Sequence, residues 1–151
     1  SNFYSKNINQ IHVFNTNSHR LVLSMKNALN YIDNNSEIII RLRIDYELIK
    51  FEIENEIETN TYYSSPYCGG ISDNIGFSNY KTFLKTWNID NLFVESLLGR
   101  NNETILKNWC NKNKINIKYF NYKYTLHQSN DEFYDGVPQW SKRTRNFEYD
   151  L

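Results

Sequence analysis

Two histidines, His12 and His127, are the residues of this sequence best suited to acid–base chemistry. An imidazole titrates near neutral pH, so one ring can remove a proton and the other can supply one during RNA cleavage by transesterification. Lys118 or Lys123 would then lie near the phosphate. Because the three histidines of the chain follow no common spacing, a small metal-independent ribonuclease is an alternative hypothesis here, not the favoured one.

A run of alternating glutamates is the second pattern with chemical meaning; it consists of Glu52, Glu54, Glu56 and Glu58. Successive side chains of a strand point to opposite faces, so all four would project from one face. Clustered carboxylates hold divalent metals in hydrolases, but Arg41 and Arg43 are predicted to neutralise two of them. We therefore predict no metal site. The run is either a salt-bridged, solvated face or an acidic surface that docks a basic partner.

The two cysteines carry weaker signals. Cys68 precedes Gly69 and Gly70, whose backbone amides could hold an oxyanion beside a thiol nucleophile. No local signature joins a histidine or an aspartate to it, so a structural or incidental cysteine is the better interpretation. Cys110 falls on an apolar helical stripe and is predicted to be core. Their spacing predicts neither a disulfide framework nor a CxxC metal site.

Lysines and aromatic residues interleave between residues 107 and 124. The members of this stretch are Lys107, Trp109, Lys112, Lys114, Lys118, Tyr119, Phe120, Tyr122, Lys123 and Tyr124. RNA-binding sheets stack bases on such aromatics while lysines contact phosphates. A core strand with outward lysines has the same pattern, so an RNA-binding module is the second alternative hypothesis.

Composition limits these alternatives. Lys plus Arg equals Asp plus Glu at 17 each, whereas nucleic-acid binders usually show a basic excess. The charge is uneven, since residues 1–75 carry six basic and nine acidic side chains and residues 76–151 carry eleven and eight. The sequence has no phosphate-binding glycine loop, dinucleotide fingerprint, HExxH or GxSxG motif. With 24 Asn and one Ala, its composition indicates an AT-rich genome.

The chain length of 151 residues predicts one α+β domain over residues 1–151. No apolar run approaches the roughly 18 residues of a membrane span, and the first residues show no signal-peptide core. We therefore expect a cytoplasmic protein, with no membrane partner and no cofactor.

A hairpin is the strongest local prediction. With a loop at residues 46–49, Arg43 faces Glu52, Leu42 faces Ile53 and Arg41 faces Glu54. Charged pairs then line one face and apolar pairs the other, and cross-strand pairs stabilise sheets. Period-two alternation breaks from Leu48 to Ile49, and the rival explanation is a single bulged strand.

The remaining elements follow from apolar spacing and caps. Helices are predicted near residues 19–33, 79–87, 91–98 and 102–113, capped by Ser18, Ser78, Asp90 and Asn101 or Asn102. Strands are predicted near residues 8–14, 37–45, 50–58 and 115–126, and residues 59–77 are predicted to form a long loop. This order favours a mainly antiparallel sheet packed against helices.

The favoured functional hypothesis is a non-enzymatic binding protein, such as a small bacterial or phage inhibitor or the immunity protein of a toxin–antitoxin pair. It rests on the missing catalytic signature, the uneven charge and the many tyrosines and tryptophans, because aromatic residues dominate interface energetics. The predicted partner-binding residues are Glu52, Glu54, Glu56, Glu58, Tyr62 and Tyr63. The expected partner is a protein, for example a basic toxin or nuclease, and a nucleic acid is less favoured.

Overall fold

A four-stranded mixed sheet forms the centre of the protein. The structure is a computed structural model and describes residues 17–43, 46–53, 55–128, 133–134, 137–138 and 143–150. The strands of this sheet are β1 (Ile38–Leu42), β3 (Thr61–Ser64), β6 (Ile75–Asn79) and β7 (Asn116–Tyr119), in the order β1-β6-β3-β7. Neighbours run antiparallel except β3 and β7, which are parallel.

Helices cover one face of this sheet. They are α1 (Asn17–Leu29), α2 (Tyr80–Trp87), α3 (Asn91–Ser96) and α4 (Asn102–Lys112). Their buried apolar residues join Tyr62, Ile71 and Ile115 in one core cluster; the helical members are Val22, Met25, Phe83, Trp87, Val94, Ile105, Leu106, Trp109 and Cys110. The α+β class predicted from the sequence is confirmed.

A three-stranded antiparallel sheet lies against the other face. Its strands are β2 (Tyr46–Phe51), β8 (Tyr122–Gln128) and β11 (Arg143–Tyr149), in the order β11-β8-β2. A second, largely aromatic cluster lies between the two sheets and contains Tyr63, Ile75, Phe77, Phe120, Tyr122 and Tyr124. Two short two-stranded sheets complete the described elements. They are β4 (Pro66–Tyr67) with β5 (Gly70–Ile71), and β9 (Phe133–Tyr134) with β10 (Val137–Pro138).

Strand β3 joins the two cores because adjacent side chains of a strand point to opposite faces. Tyr62 faces the helices, where its hydroxyl accepts a 3.2 Å hydrogen bond from Trp87 Nε1. Tyr63 faces the second sheet and stacks on Phe77 with ring centroids 4.6 Å apart. Both tyrosines have 0% of their surface exposed.

The predicted hairpin of residues 37–58 is wrong. β1 pairs with β6, and Arg41 therefore lies opposite Gly76. Residues 46–51, which include the predicted loop, form β2 and pair with β8. The rival explanation, a single bulged strand, is wrong as well, because β1 and β2 belong to different sheets. The phase slip itself coincides with a local bulge, since the register of β2 shifts between Leu48 and Lys50.

Two further predictions, one of a strand and one of a loop, need correction. The predicted strand 115–126 is two strands, and the chain passes from the first sheet to the second between Tyr119 and Tyr122. At that point the apolar positions change from odd to even numbers, from Ile117 and Tyr119 to Phe120 and Tyr122. The predicted loop 59–77 contains β3, β4, β5 and part of β6. The predicted strand 8–14 lies outside the described residues.

Side-chain caps place the helix starts. Asp90 and Asn101 cap α3 and α4 as predicted, through 2.7 Å and 2.8 Å hydrogen bonds from the amides of Leu92 and Thr104. The cap of α2 is Asn79, whose side chain accepts from Thr82 N–H, not the predicted Ser78. Each cap satisfies an amide that has no partner inside its helix.

Gly70 marks a close contact between β5 and the start of α4. A β-carbon at this position would overlap the backbone carbonyl of Glu103. We expect Gly70→Ala to lower the free energy of unfolding by about 2 kcal/mol or more, because a rigid helix turn must move. The matched control is Gly99→Ala, where φ is +87° and no atom lies within 4 Å of the new β-carbon; backbone strain there costs about 1 kcal/mol. Urea denaturation measures both, and equal losses would contradict the close packing.

Candidate partner-binding surface

The residues from Tyr46 to Ile53 and from Asn55 to Glu58 form a surface segment that we name the acidic ribbon. In the described part of its sheet, β2 is an edge strand. Leu48 pairs with Tyr124 and Lys50 with Lys123, so Ile49 is the extra residue of the bulge. An extra residue shifts the following side chains to the other face.

Apolar side chains of the ribbon are left in solvent by this geometry. The exposed fractions are 36% for Leu48, 56% for Ile49 and 36% for Ile53. Exposed glutamates Glu47 and Glu52 directly precede Leu48 and Ile53 in the chain. A group of exposed apolar residues with a charged rim is typical of protein interaction sites.

Buried and half-buried residues hold the ribbon in place at two points. The backbone amide of Glu52 donates to the carbonyl of Asn121 at 3.2 Å, and Asn121 Nδ2 donates to Glu52 Oε2 at 2.8 Å. Further along, the amide of Glu58 donates to the Tyr63 hydroxyl at 3.0 Å, and Ile57 packs on the inter-sheet cluster. The glutamates are therefore presented from a fixed backbone.

Lysines neutralise part of the ribbon's charge. Lys50 Nζ lies 3.2 Å from Glu52 Oε1, and Lys118 Nζ lies 3.0 Å from Glu58 Oε1. Hydrogen bonds from Asn121 and Lys50 lower the pKa of Glu52, so this carboxyl stays ionised at neutral pH. Glu56 is exposed, and the described ribbon carries four glutamates against one lysine of its own.

The predicted set of partner-binding residues is changed in two ways. The glutamates do not alternate on one strand face, because β2 ends at Phe51 and residues 52–58 follow as irregular backbone; Glu54 lies outside the described residues. Tyr62 and Tyr63 are fully buried, so neither can touch a partner. Tyr63 instead positions the ribbon through its bond to Glu58.

The residues of the ribonuclease hypothesis are only partly described. His12 lies outside the described residues, and His127 lies on β8 opposite Thr144, with its side chain outside the description. Whether the two rings converge therefore stays a prediction. Lys118, predicted to lie near a phosphate, pairs with Glu58. The third histidine, His19, is buried on α1, and burial lowers its pKa while Glu95 opposes the shift.

Four of the five aromatic residues predicted to stack on RNA are core residues, and Tyr119 is half-buried. Trp109, Phe120, Tyr122 and Tyr124 are exposed by 9%, 3%, 6% and 2% of their surface. Tyr46 stacks on Tyr124 with ring centroids 4.2 Å apart, which leaves no open ring face for a base on that side. The core-strand interpretation of this stretch is therefore the correct one.

The cysteines also follow the structural interpretation. Cys110 is buried in the helical core, and burial raises the pKa of its thiol to about 12. Cys68 is exposed in the turn between β4 and β5, with φ values of +47° for Cys68 and +80° for Gly69. Two positive φ angles in a two-residue connection are typical of tight β-hairpins. The Cys68 carbonyl accepts a 2.9 Å bond from the α4 cap, Asn101.

A polar cluster under the helices was missed by the sequence analysis. Arg41, predicted to pair with Glu54, donates from Nε to the backbone carbonyl of Asp73 and lies 4.8 Å from the Trp87 ring centroid. The Asp73 carboxylate accepts a 3.2 Å bond from Asn102 Nδ2. Ser18 donates to Asn102 Oδ1 at 2.7 Å, so α1, β1, the β5–β6 connection and α4 meet at this cluster. Its only sequence signal was an arginine among isoleucines in a strand.

Glu103 adds a second carboxyl to this cluster. Burial raises the pKa of Glu103, and the nearby Asp73 raises it further through charge and a side-chain hydrogen bond. Protonation of Glu103 is therefore favoured where the start of α4 meets the β5–β6 connection.

Within the described ranges, no group of three His, Cys, Asp or Glu side chains could hold a metal ion. None of the described helices is long and apolar enough to cross a membrane. A scan against protein-family models, a search of curated proteins and a search of solved structures found no match to this chain. The function must therefore be argued from the surface itself.

The raised pKa of Glu103 gives stability a defined pH dependence. The unfolded carboxyl titrates near 4.5, so the stabilising contribution of the protonated side chain is complete below that pH and is lost as pH rises through the higher folded pKa. Glu103→Gln keeps a neutral side chain throughout. Relative to wild type, its free energy of unfolding should be more favourable at pH 7 than at pH 4, measured by urea denaturation at both. The same difference at both pH values would contradict the raised pKa of Glu103.

Proposed function

We propose that this protein is a binding protein and that the acidic ribbon is its contact surface. The observation that carries the proposal is the exposure of Leu48 and Ile49 on a fixed edge strand, and of Ile53 just after it, among glutamates. An apolar centre supplies affinity and a charged rim supplies orientation and speed of association. The bonds to Asn121 and Tyr63 reduce the entropy lost on binding, because the backbone is ordered in advance.

The chemistry of the ribbon favours a basic protein partner. Its described residues include four glutamates and one lysine: Glu47, Glu52, Glu56, Glu58 and Lys50. A surface rich in carboxylates attracts positively charged proteins. An inhibitor or immunity protein that covers the phosphate-binding cleft of a basic nuclease is the specific form of the proposal. A cytoplasmic location belongs to it, supported by the free, exposed thiol of Cys68, which suits a reducing compartment.

The test is affinity capture from the native host with wild type and two variants. One variant combines Ile49→Asp with Glu56→Lys, which removes the apolar centre and reverses one rim charge. We expect wild type to retain a basic protein, and the purified pair to bind at least tenfold more weakly with this variant, because exposed apolar anchors and rim charges dominate such contacts. Titration calorimetry at two salt concentrations measures the affinity, which should fall at higher salt.

The matched control is Leu92→Asp combined with Glu95→Lys. Leu92 is 73% exposed on α3, so this pair makes the same chemical change away from the ribbon and should bind as wild type does. If both variants bind the partner equally, the ribbon is not the contact surface. Cleavage of labelled RNA without metal, lost in both His12→Ala and His127→Ala, would overturn the binding proposal in favour of the ribonuclease.

A further inference from the structure

A groove lies between α1 and α2, on the side of the central sheet away from the inter-sheet cluster. Its volume is about 550 Å³, and its lining residues are Lys26, Leu29, Asn30, Ile32, Tyr80, Leu84, Lys85 and Asn88. Tyr80, Leu84 and Asn88 recur every four residues, so one face of α2 forms one wall. Small-molecule sites have volumes of roughly 300–1,000 Å³.

The floor of the groove is apolar and incompletely covered. Leu29 and Ile32 pack on the helical core but remain half-exposed, as does Leu84. The neighbouring Tyr31 is 89% exposed. An apolar ligand that covers this surface binds favourably, because it removes apolar area from water.

Two lysines, Lys26 and Lys85, line the groove. None of the eight lining residues carries a carboxylate. Neither Lys26 nor Lys85 forms an ion pair with a carboxylate of the described residues. Lys85 Nζ donates to the neutral Asn60 Oδ1 at 3.2 Å. Both ammonium groups can therefore pair with an anionic ligand.

The surrounding layer has the same sign. Residues 17–33 and 79–114, which contain the four helices, carry eight Lys and Arg side chains and four Asp and Glu side chains. The lysines also stand in the last turns of α1 and α2, where cations are favoured by the helix dipole. The helix dipole alone accounts for lysines at these two positions. It does not account for the apolar surface left uncovered between them.

We propose that this groove binds a small anionic amphiphile, a molecule with a carboxylate or phosphate head and a hydrocarbon or aromatic body. The head lies between Lys26 and Lys85, and the apolar body covers Leu29, Ile32 and Leu84. Tyr80 and the amides of Asn30 and Asn88 supply further hydrogen bonds at the rim. The site is separate from the acidic ribbon and does not depend on it.

Decanoate and decanol test the proposal, because they share a hydrocarbon chain and differ in charge. Calorimetry and amide shifts in ¹H–¹⁵N spectra, both below the micellar concentration, report affinity and place. We expect decanoate to bind saturably, to shift amides of groove residues, and to bind more tightly than decanol. Lys26→Gln with Lys85→Gln should weaken decanoate about tenfold, the effect of two partly screened charges, and leave decanol unchanged.

Lys81→Gln with Lys107→Gln is the matched control, since these lysines lie on α2 and α4 but do not line the groove; decanoate should bind it as tightly as wild type. Equal weakening in both double variants, or equal affinity for decanol, would show that the groove lysines do not select the anion. Shifts confined to the acidic ribbon would show binding to exposed apolar residues there. Binding to anionic vesicles without binding of monomeric decanoate would replace the small ligand with a lipid surface. Each of these four results overturns the proposal.

Discussion

Tyr62 and Tyr63 point to opposite faces of β3 and so link the helical layer, the central sheet and the second sheet. One ring anchors the helical core through Trp87 and the other anchors the inter-sheet core through Phe77. Both are fully buried, and a hydroxyl in such a place must find a partner. The Tyr62 partner fixes α2, and the Tyr63 partner is the backbone of Glu58. The same two residues therefore set the helical layer and the position of the acidic ribbon.

The helices are easier to predict from the sequence than the strands, because the signals for a helix are local. The helices carry apolar stripes, and α2 to α4 also begin with a side-chain cap. Both signals lie within one short segment. Asp90 and Asn101 cap α3 and α4, as their spacing predicts. A strand is different, because its partner can lie anywhere in the chain. Ile38 to Leu42 pair with residues 75–79, and nothing within the segment itself distinguishes that partner from residues 53–57.

The error in the hairpin carried over to the site. Once Arg41 was placed opposite a glutamate, the arginine was interpreted as a surface charge, whereas it lies beside Asp73 and the Trp87 ring. A loop around Tyr62 and Tyr63 would place both on the surface, whereas β3 buries them. The glutamate-rich segment could be found from composition alone. The exposure of Leu48 and Ile49 could not, because it follows from a bulge against β8, more than 70 residues away.

Charge and fold are related in one further way. The sequence is acidic in its first half and basic in its second, and the fold does not mix the two completely. The helices α2 to α4 come from the second half and bring most of the basic excess to the helical layer, while β2 and the ribbon bring glutamates to the second sheet. Charges separated by a packed sheet and two cores are more than one Debye length apart and are largely screened from each other. A molecule that is neutral overall can therefore present an acidic ribbon to one partner and a cationic groove to another.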